Sequence, residues 1–262
     1  MVFKKFMASM GAGSASVETE LHHPQTTPGG VVEGLIRVRG GKVDQNIEGL
    51  FVEFQAVVEV ETQDGEQRRN EEFGRLQVDG AFALREGSTH DVPFSLPVPW
   101  ETPLTTFRGV HLRGTTIGVR TELAIDRAID KGDLDPIQVH AFPAQALILD
   151  AFGNLGFHFK GADLEKGHIR GTDQRLPFYQ EIEFTPPQAY ARGINEVELS
   201  FVSGEHSTEV VLEIDKKGGV LSGGGNDAYR QFTVDHASAE QTDWSAYLNG
   251  WFQELGQRRG WF

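Results

Sequence analysis

The sequence contains no cysteine, which excludes disulfide staples, thiolate nucleophiles and zinc–thiolate centres. Cationic side chains are also scarce: 24 Lys and Arg against 38 Asp and Glu leave a net charge of −14. Phosphate surfaces repel such a chain at long range, so neither nucleic acid nor an anionic membrane is an expected partner. Long apolar runs are missing too. No stretch approaches the ~18 consecutive apolar residues of a membrane-spanning helix, and none is expected to cross a bilayer. The opening MVFKKFMASMGAGSAS has two lysines, but serine and glycine break the apolar run behind them. It therefore reads as a mature N-terminus with a weak helical stripe at Phe3, Phe6, Met7 and Met10, not as a secretory leader.

What is present is a pattern of short strands and turns. Glycine accounts for 31 of 262 residues and is dispersed between short apolar runs, as in chains with many turns. Leu50, Val52, Phe54, Ala56, Val58 and Val60 alternate with polar residues, the period of a half-buried strand. The same period recurs at Val17–Leu21, Val32–Val38, Phe94–Val98 and Ile117–Ile125. After Pro136 it restarts at Ile137–Val139, Leu147–Leu149, Leu155–Phe159, Ile182–Phe184, Val197–Phe201, Val210–Ile214 and Phe232–Val234. Prolines 93, 97 and 99 lack a ladder donor, which makes Val92–Trp100 an edge or irregular strand. Helices are expected only at the ends. Near the C-terminus, Ser238 and Gln241 form a capping-box pattern ahead of a stripe of Trp244, Tyr247, Leu248, Trp251 and Leu255.

Two stretches carry a family likeness. Pro28-Gly29-Gly30 with Val32, Gly34 and Val38, and the segment Glu101–His140 with Thr121-Glu122-Leu123 and its connector Asp126–Pro136, resemble the SpoOM-type sporulation-control proteins, whose fold is arrestin-like. The resemblance implies an all-β fold of two tandem arrestin-like antiparallel β-sandwich domains with short terminal helices. Residues 1–130 would form the first sandwich and its short N-terminal helix, and 131–136 a hinge in which Gly132 supplies freedom and Pro136 restraint. Residues 137–236 would form the second sandwich, and 237–262 an amphipathic helix with an aromatic-basic tail. It further implies a cytoplasmic regulatory protein without a known catalytic centre.

Candidate chemistry is sparse. Asp126, Asp130, Asp133 and Asp135 are the best calcium candidates, since hard cations gather carboxylate oxygens, but they lack the spacing of a calcium loop and also suit a solvated connector. His22 and His23 are adjacent, so on a strand they point to opposite faces. Ser222–Asp227 is glycine-rich but lacks the lysine and following helix of a phosphate loop. No G-x-S-x-G or H-E-x-x-H occurs. Arg258, Arg259, Trp261 and Phe262 are of the residue types enriched in binding hot spots and lie beyond the apolar stripe, which is expected to dock on its own domain.

The sequence therefore supports a non-catalytic cytoplasmic regulatory or scaffold protein that binds an unknown protein partner, with no cofactor expected. A homodimer through strand edges or a shared C-terminal helix is compatible with the same features. The alternative is a ligand-binding or calcium-dependent module, with carbohydrate as one class of ligand.

Overall fold

A computed structural model describes residues 14–62, 65–126, 131–216 and 228–257. The first half contains strands β1 (Ser16–Leu21), β2 (Gln25–Thr26), β3 (Val31–Arg39), β4 (Gln45–Thr62), β5 (Gly65–Asp79) and β6 (Phe82–Leu84). It continues with β7 (Thr89–Pro97), β8 (Thr106–Phe107), β9 (Val110–His111), β10 (Ile117–Ile125) and β11 (Lys131–Pro136). Strand β12 (Gln138–Val139) and helix α1 (Pro143–Asn154) lead into the second half. There follow β13 (His158–Lys166), β14 (Phe178–Thr185), β15 (Ile194–Ser203), β16 (Ser207–Lys216), β17 (Ala228–Asp235), a 3₁₀ turn at Ala239–Gln241 and helix α2 (Trp244–Gln257).

Period-two alternation fixes which face of each strand is buried. In β3 it buries Val32, Ile36 and Val38, and in β4 Leu50, Val52, Phe54, Ala56 and Val58. Strands β1, β3 and β7 form one antiparallel sheet in that order, which puts the proline-bearing β7 on an edge as its missing donors require. Gly34 sits where a Cβ would lie 2.6 Å from the Glu20 carbonyl, so only glycine lets β1 and β3 approach this closely. This sheet packs on β10 and β11 through a buried contact of 2.7 Å between the Thr19 and Thr121 hydroxyls.

The expected hinge is not a free connector. Residues 131–136 are strand β11, antiparallel to β10 with Gly132 opposite Glu122 and Pro136 opposite Gly118. Its aspartates, Asp133 and Asp135, are half-buried toward β1 while Gly132, Leu134 and Pro136 are exposed, an inversion of the usual alternation that composition alone cannot separate from a linker. Strand β5 was equally hidden: its run of charge shows no apolar alternation, yet it pairs with β4 from Thr62–Gly65 to Leu50–Asp79.

The second half differs from the expected sandwich. Strands β13 to β17 are consecutive neighbours in a single sheet, joined to β4 where Glu165 pairs with Glu59. Helices α1 and α2 cover one face of it. Leu147–Leu149, expected as a strand, lies inside α1, which is therefore an internal helix. The helix begins with Pro143 in its first turn and ends in a Schellman motif, with Phe157 N–H donating to Phe152 C=O and Gly156 N–H to Gly153 C=O, both 3.0 Å. Phe152 and Phe157 add the accompanying ring contact at 5.1 Å. Six buried residues, Ala144, Gln145, Ile148, Leu149, Ala151 and Phe152, form its inner face, and Phe152 meets Phe184 of β14 at 4.5 Å.

Helix α2 docks in the way its stripe suggests, with Trp244, Leu248, Phe252 and Leu255 buried and Trp251 against Phe232 of β17. Its cap is Asp243, whose Oδ1 accepts the Ala246 N–H at 2.9 Å; Ser238 and Gln241 belong to the preceding 3₁₀ turn.

The halves are tied by buried polar contacts. Gln180 of β14, 8% exposed, accepts the Leu104 N–H at 2.9 Å and donates to the Leu104 carbonyl at 2.8 Å and to Thr115 Oγ1 at 2.9 Å. The Glu101 carboxylate accepts the N–H groups of Arg175 and Leu176. Gly114, at φ +104°, approaches so near that a Cβ would overlap the Ala162 carbonyl. Replacing Gln180 by Leu strands the Leu104 N–H and C=O in the seam, and urea denaturation should show a loss of about 3 kcal/mol.

Candidate functional site

Two outward faces carry most of the paired or clustered charge. On the first half, Glu53 of β4 is 3% exposed and accepts from both Arg120 and Arg75, the latter at 2.9 Å. Glu122 of β10 takes a second bond from each arginine at 2.8 Å, and Arg75 also lies 4.1 Å over the Phe51 ring. Arg75 foremost, with Arg120, holds the Glu122 carboxyl below its ordinary value. Two acids and two guanidinium groups balance here. The arrangement is a structural network.

The second half is different. The face of its sheet turned away from α1 and α2 presents Asp163 and Glu165 from β13, Glu181 and Glu183 from β14, Glu196 and Glu198 from β15, and Glu213 from β16. The ladder places acids directly opposite one another: Asp163 faces Glu181, and Glu183, Glu198 and Glu213 fall in one cross-strand row. Like charges in such positions repel. Lys160 Nζ holds Glu183 and Glu196, both at 2.7 Å, at one end of this face. That contact keeps Glu183 below its ordinary value despite partial desolvation.

The other carboxyls respond to burial and crowding. Desolvation, then the charges of Glu198 and Asp163, push Glu181 up to about 8. Burial, followed by the neighbouring Glu213 and Glu183 respectively, pushes Glu198 and Asp163 up to about 7. Tyr179 rises above its ordinary value by burial and the nearby Glu181. One Asp163 oxygen, Oδ1, is buried with no hydrogen-bond partner among the described residues. Carboxylate oxygens of Asp163, Glu165 and Glu181 converge within 4.8 Å, as do those of Glu181, Glu198 and Glu213. A hard cation takes six or more oxygens, and each triplet supplies three side chains.

The calcium candidates read from the sequence do not assemble in this way. Asp133 is engaged, with Oδ2 accepting the Thr19 N–H at 2.9 Å and Oδ1 the Leu134 N–H at 3.0 Å. Asp135 shares its face of β11, and burial with the charges of Asp133 and Glu18 pushes it up to about 7. Asp126 is exposed at the end of β10, and Asp130 lies outside the described residues. Neither triplet of convergent carboxylates includes Asp126, Asp133 or Asp135.

Comparison with known proteins agrees with this strand-rich architecture. A family profile described as SpoOM protein matches residues 3–218. The chain belongs to the SpoOM family. It is 35% identical over 222 residues to the sporulation-control protein spo0M of Bacillus subtilis (strain 168), covering 84% of this chain and 83% of that protein. The crystal structure of Spo0M, sporulation control protein, from Bacillus subtilis superposes with a TM-score of 0.78 at 29% identity, over 93% of this chain and 99% of that one. These relatives are named as sporulation-control proteins, not as enzymes.

Within this SpoOM chain the expected partner-binding tail, Arg258, Arg259, Trp261 and Phe262, lies outside the described residues, as does the glycine-rich Ser222–Asp227. The sequence reading missed the acidic sheet face. Its signal was present as apolar–acidic alternation, Asp163-Leu164-Glu165, Glu181-Ile182-Glu183 and Glu196-Val197-Glu198, repeated on successive strands.

Raised carboxyls bind protons more tightly in the folded than in the unfolded chain. Their contribution to stability is therefore full below about pH 4 and is lost as pH climbs through about 7 to 8. Urea midpoints should fall over that window. Glu181→Gln should stabilise the protein by on the order of 1 kcal/mol at pH 8.5, with solvent screening allowed for, and leave it nearly unchanged at pH 5.

Proposed function

We propose that this chain is a non-catalytic cytoplasmic regulatory protein that acts by holding a partner protein, in the process for which its Bacillus subtilis relative is named. The observation that carries the proposal is the carboxylate face of β13–β16, in which Glu183, Glu198 and Glu213 confront one another in one row.

A fold held together elsewhere tolerates this repulsion, and a Lys- or Arg-bearing partner segment would relieve it. Cations placed over the row lower the carboxyls' proton affinity, so binding expels protons. The face is broad and only half-buried, which suits a protein surface and charge-steered association. No covalent step is needed for such a role.

Affinity capture from the native cytoplasm, using the full chain and a Glu181→Gln/Glu198→Gln/Glu213→Gln variant, tests the reading. A specific partner should be retained by the parent and bound about tenfold more weakly by the variant, a loss of about 1.4 kcal/mol. Calorimetry in buffers of different ionisation enthalpy should show proton release on binding near pH 7.5, with affinity rising from pH 6 to 8.5. A partner held equally by both proteins would place the contact elsewhere.

A further inference from the structure

The segment 105–117, the chain from Pro136 to His140 and Gln25 of β2 line an open cavity of about 440 Å³, within the usual range for small-molecule sites. It lies away from the acidic face, and its residues are unused by the proposed protein contact. Strands β9, β8, β12 and β2 form one wall. Thr106 pairs with His111 on one side and bridges to His140 on the other, while Gln138 pairs with Gln25.

Alternation then sorts the side chains. His140 and Gln138, two residues apart, share the cavity face with their cross-strand neighbours Thr106, His111 and Gln25, and the intervening Val139 is fully buried in the core. Five polar side chains thus line one face of a small wall, with Thr116 beside them. Among the described residues, no Asp, Glu, Lys or Arg lines the cavity, although such residues make up 24% of the chain.

Several of these groups are oriented and retain hydrogen-bonding capacity. His111 Nδ1 lies 2.9 Å from the Thr105 carbonyl, which fixes the ring and leaves Nε2 for another contact. Gln25 Nε2 donates to Gln138 Oε1 at 3.4 Å, so Gln25 Oε1 and Gln138 Nε2 keep capacity to bond. His140 Nε2 has no hydrogen-bond partner among the described residues but is closed off from solvent, so the ring lines the cavity without offering that nitrogen to a ligand. Ile117 and Ile137 contribute apolar lining next to these donors and acceptors.

From this wall we infer that the cavity binds a small neutral polyhydroxylated ligand of the size of a monosaccharide or cyclitol. Hydroxyls both donate and accept, as amides and imidazoles do, and a ring's apolar face suits the isoleucines. An anionic or cationic ligand would find no opposite charge among the lining residues. A site built to bond hydroxyls discriminates through the groups it would otherwise leave unpaired.

The test uses the full chain, isotope-labelled and titrated by NMR with glucose, myo-inositol and trehalose, and with glucuronate and glucosamine as charged counterparts. At least one neutral probe should give saturable shifts centred on residues 105–117 and 136–140, with Kd in the region of about 1 mM, and the charged probes should bind about tenfold more weakly. His111 and Gln138 are exposed, so His111→Ala and Gln138→Ala leave the core packing in place. Each should weaken binding about tenfold with little change in Tm. The inference is overturned if none of the neutral probes saturates, if the shifts fall outside those residues, if charged probes bind equally well, or if both variants bind like the parent.

Discussion

Strand β4 is the constraint on which the rest of the molecule depends. At 18 residues it is longer than either half requires, and one of its edges is divided between them. Ala56 closes the register with β10, and three residues later Glu59 pairs with Glu165 of β13. The first-half sheet and the β13–β17 sheet are therefore one hydrogen-bonded surface. Backbone pairing of this kind resists rigid-body rotation far better than a contact between loops. Gln180 and Glu101 add side-chain ties at the same seam.

This union separates the two faces of the second sheet. The inner face buries Leu164, Ile182, Phe184, Leu199, Leu212 and Ile214 beneath α1 and α2, and Phe152, Phe157 and Phe252 join into one aromatic cluster. The apolar area removed from water there stabilises the sheet at roughly 25 cal/mol per Å². That stabilisation permits the outer face to keep unfavourable rows of carboxyls. The first half solves the same problem by pairing, since Glu53 and Glu122 share Arg75 and Arg120. The contrast makes the second-half face a candidate for binding, because its charges are answered only in part from within.

Much of the strand inventory was legible in the sequence. Strands β1, β3, β4, β7, β10, β14, β15, β16 and β17 follow the alternation of their own residues, and the prolines of β7 put it on an edge. The errors have physical causes. Leu147–Leu149 is too short a run to separate helix from strand, and the deciding signals, Pro143 ahead of it and Gly156 behind it, lie outside the run. Residues 131–136 look like a linker because the half-buried side of this edge strand is its aspartate side, so the run shows no apolar alternation. Strand β5 carries few apolar residues, Phe73, Leu76 and Val78 among a run of charge, and its pairing with β4 gives it a reason to be extended.

What the sequence determined by itself was local: which residues alternate, where glycine and proline punctuate, the absence of thiol chemistry, and the acidic balance. It also carried the family likeness that the comparisons then showed. The tertiary structure decided everything that depends on register between distant strands. Alternation tells a side chain which face it takes but not which neighbour it meets, so the Glu183, Glu198 and Glu213 row and the His111, Thr106 and His140 wall exist only once the ladders are formed. Those pairings depend on the register each hairpin adopts and, for His140, on a bridge back to Thr106, which no run of sequence contains.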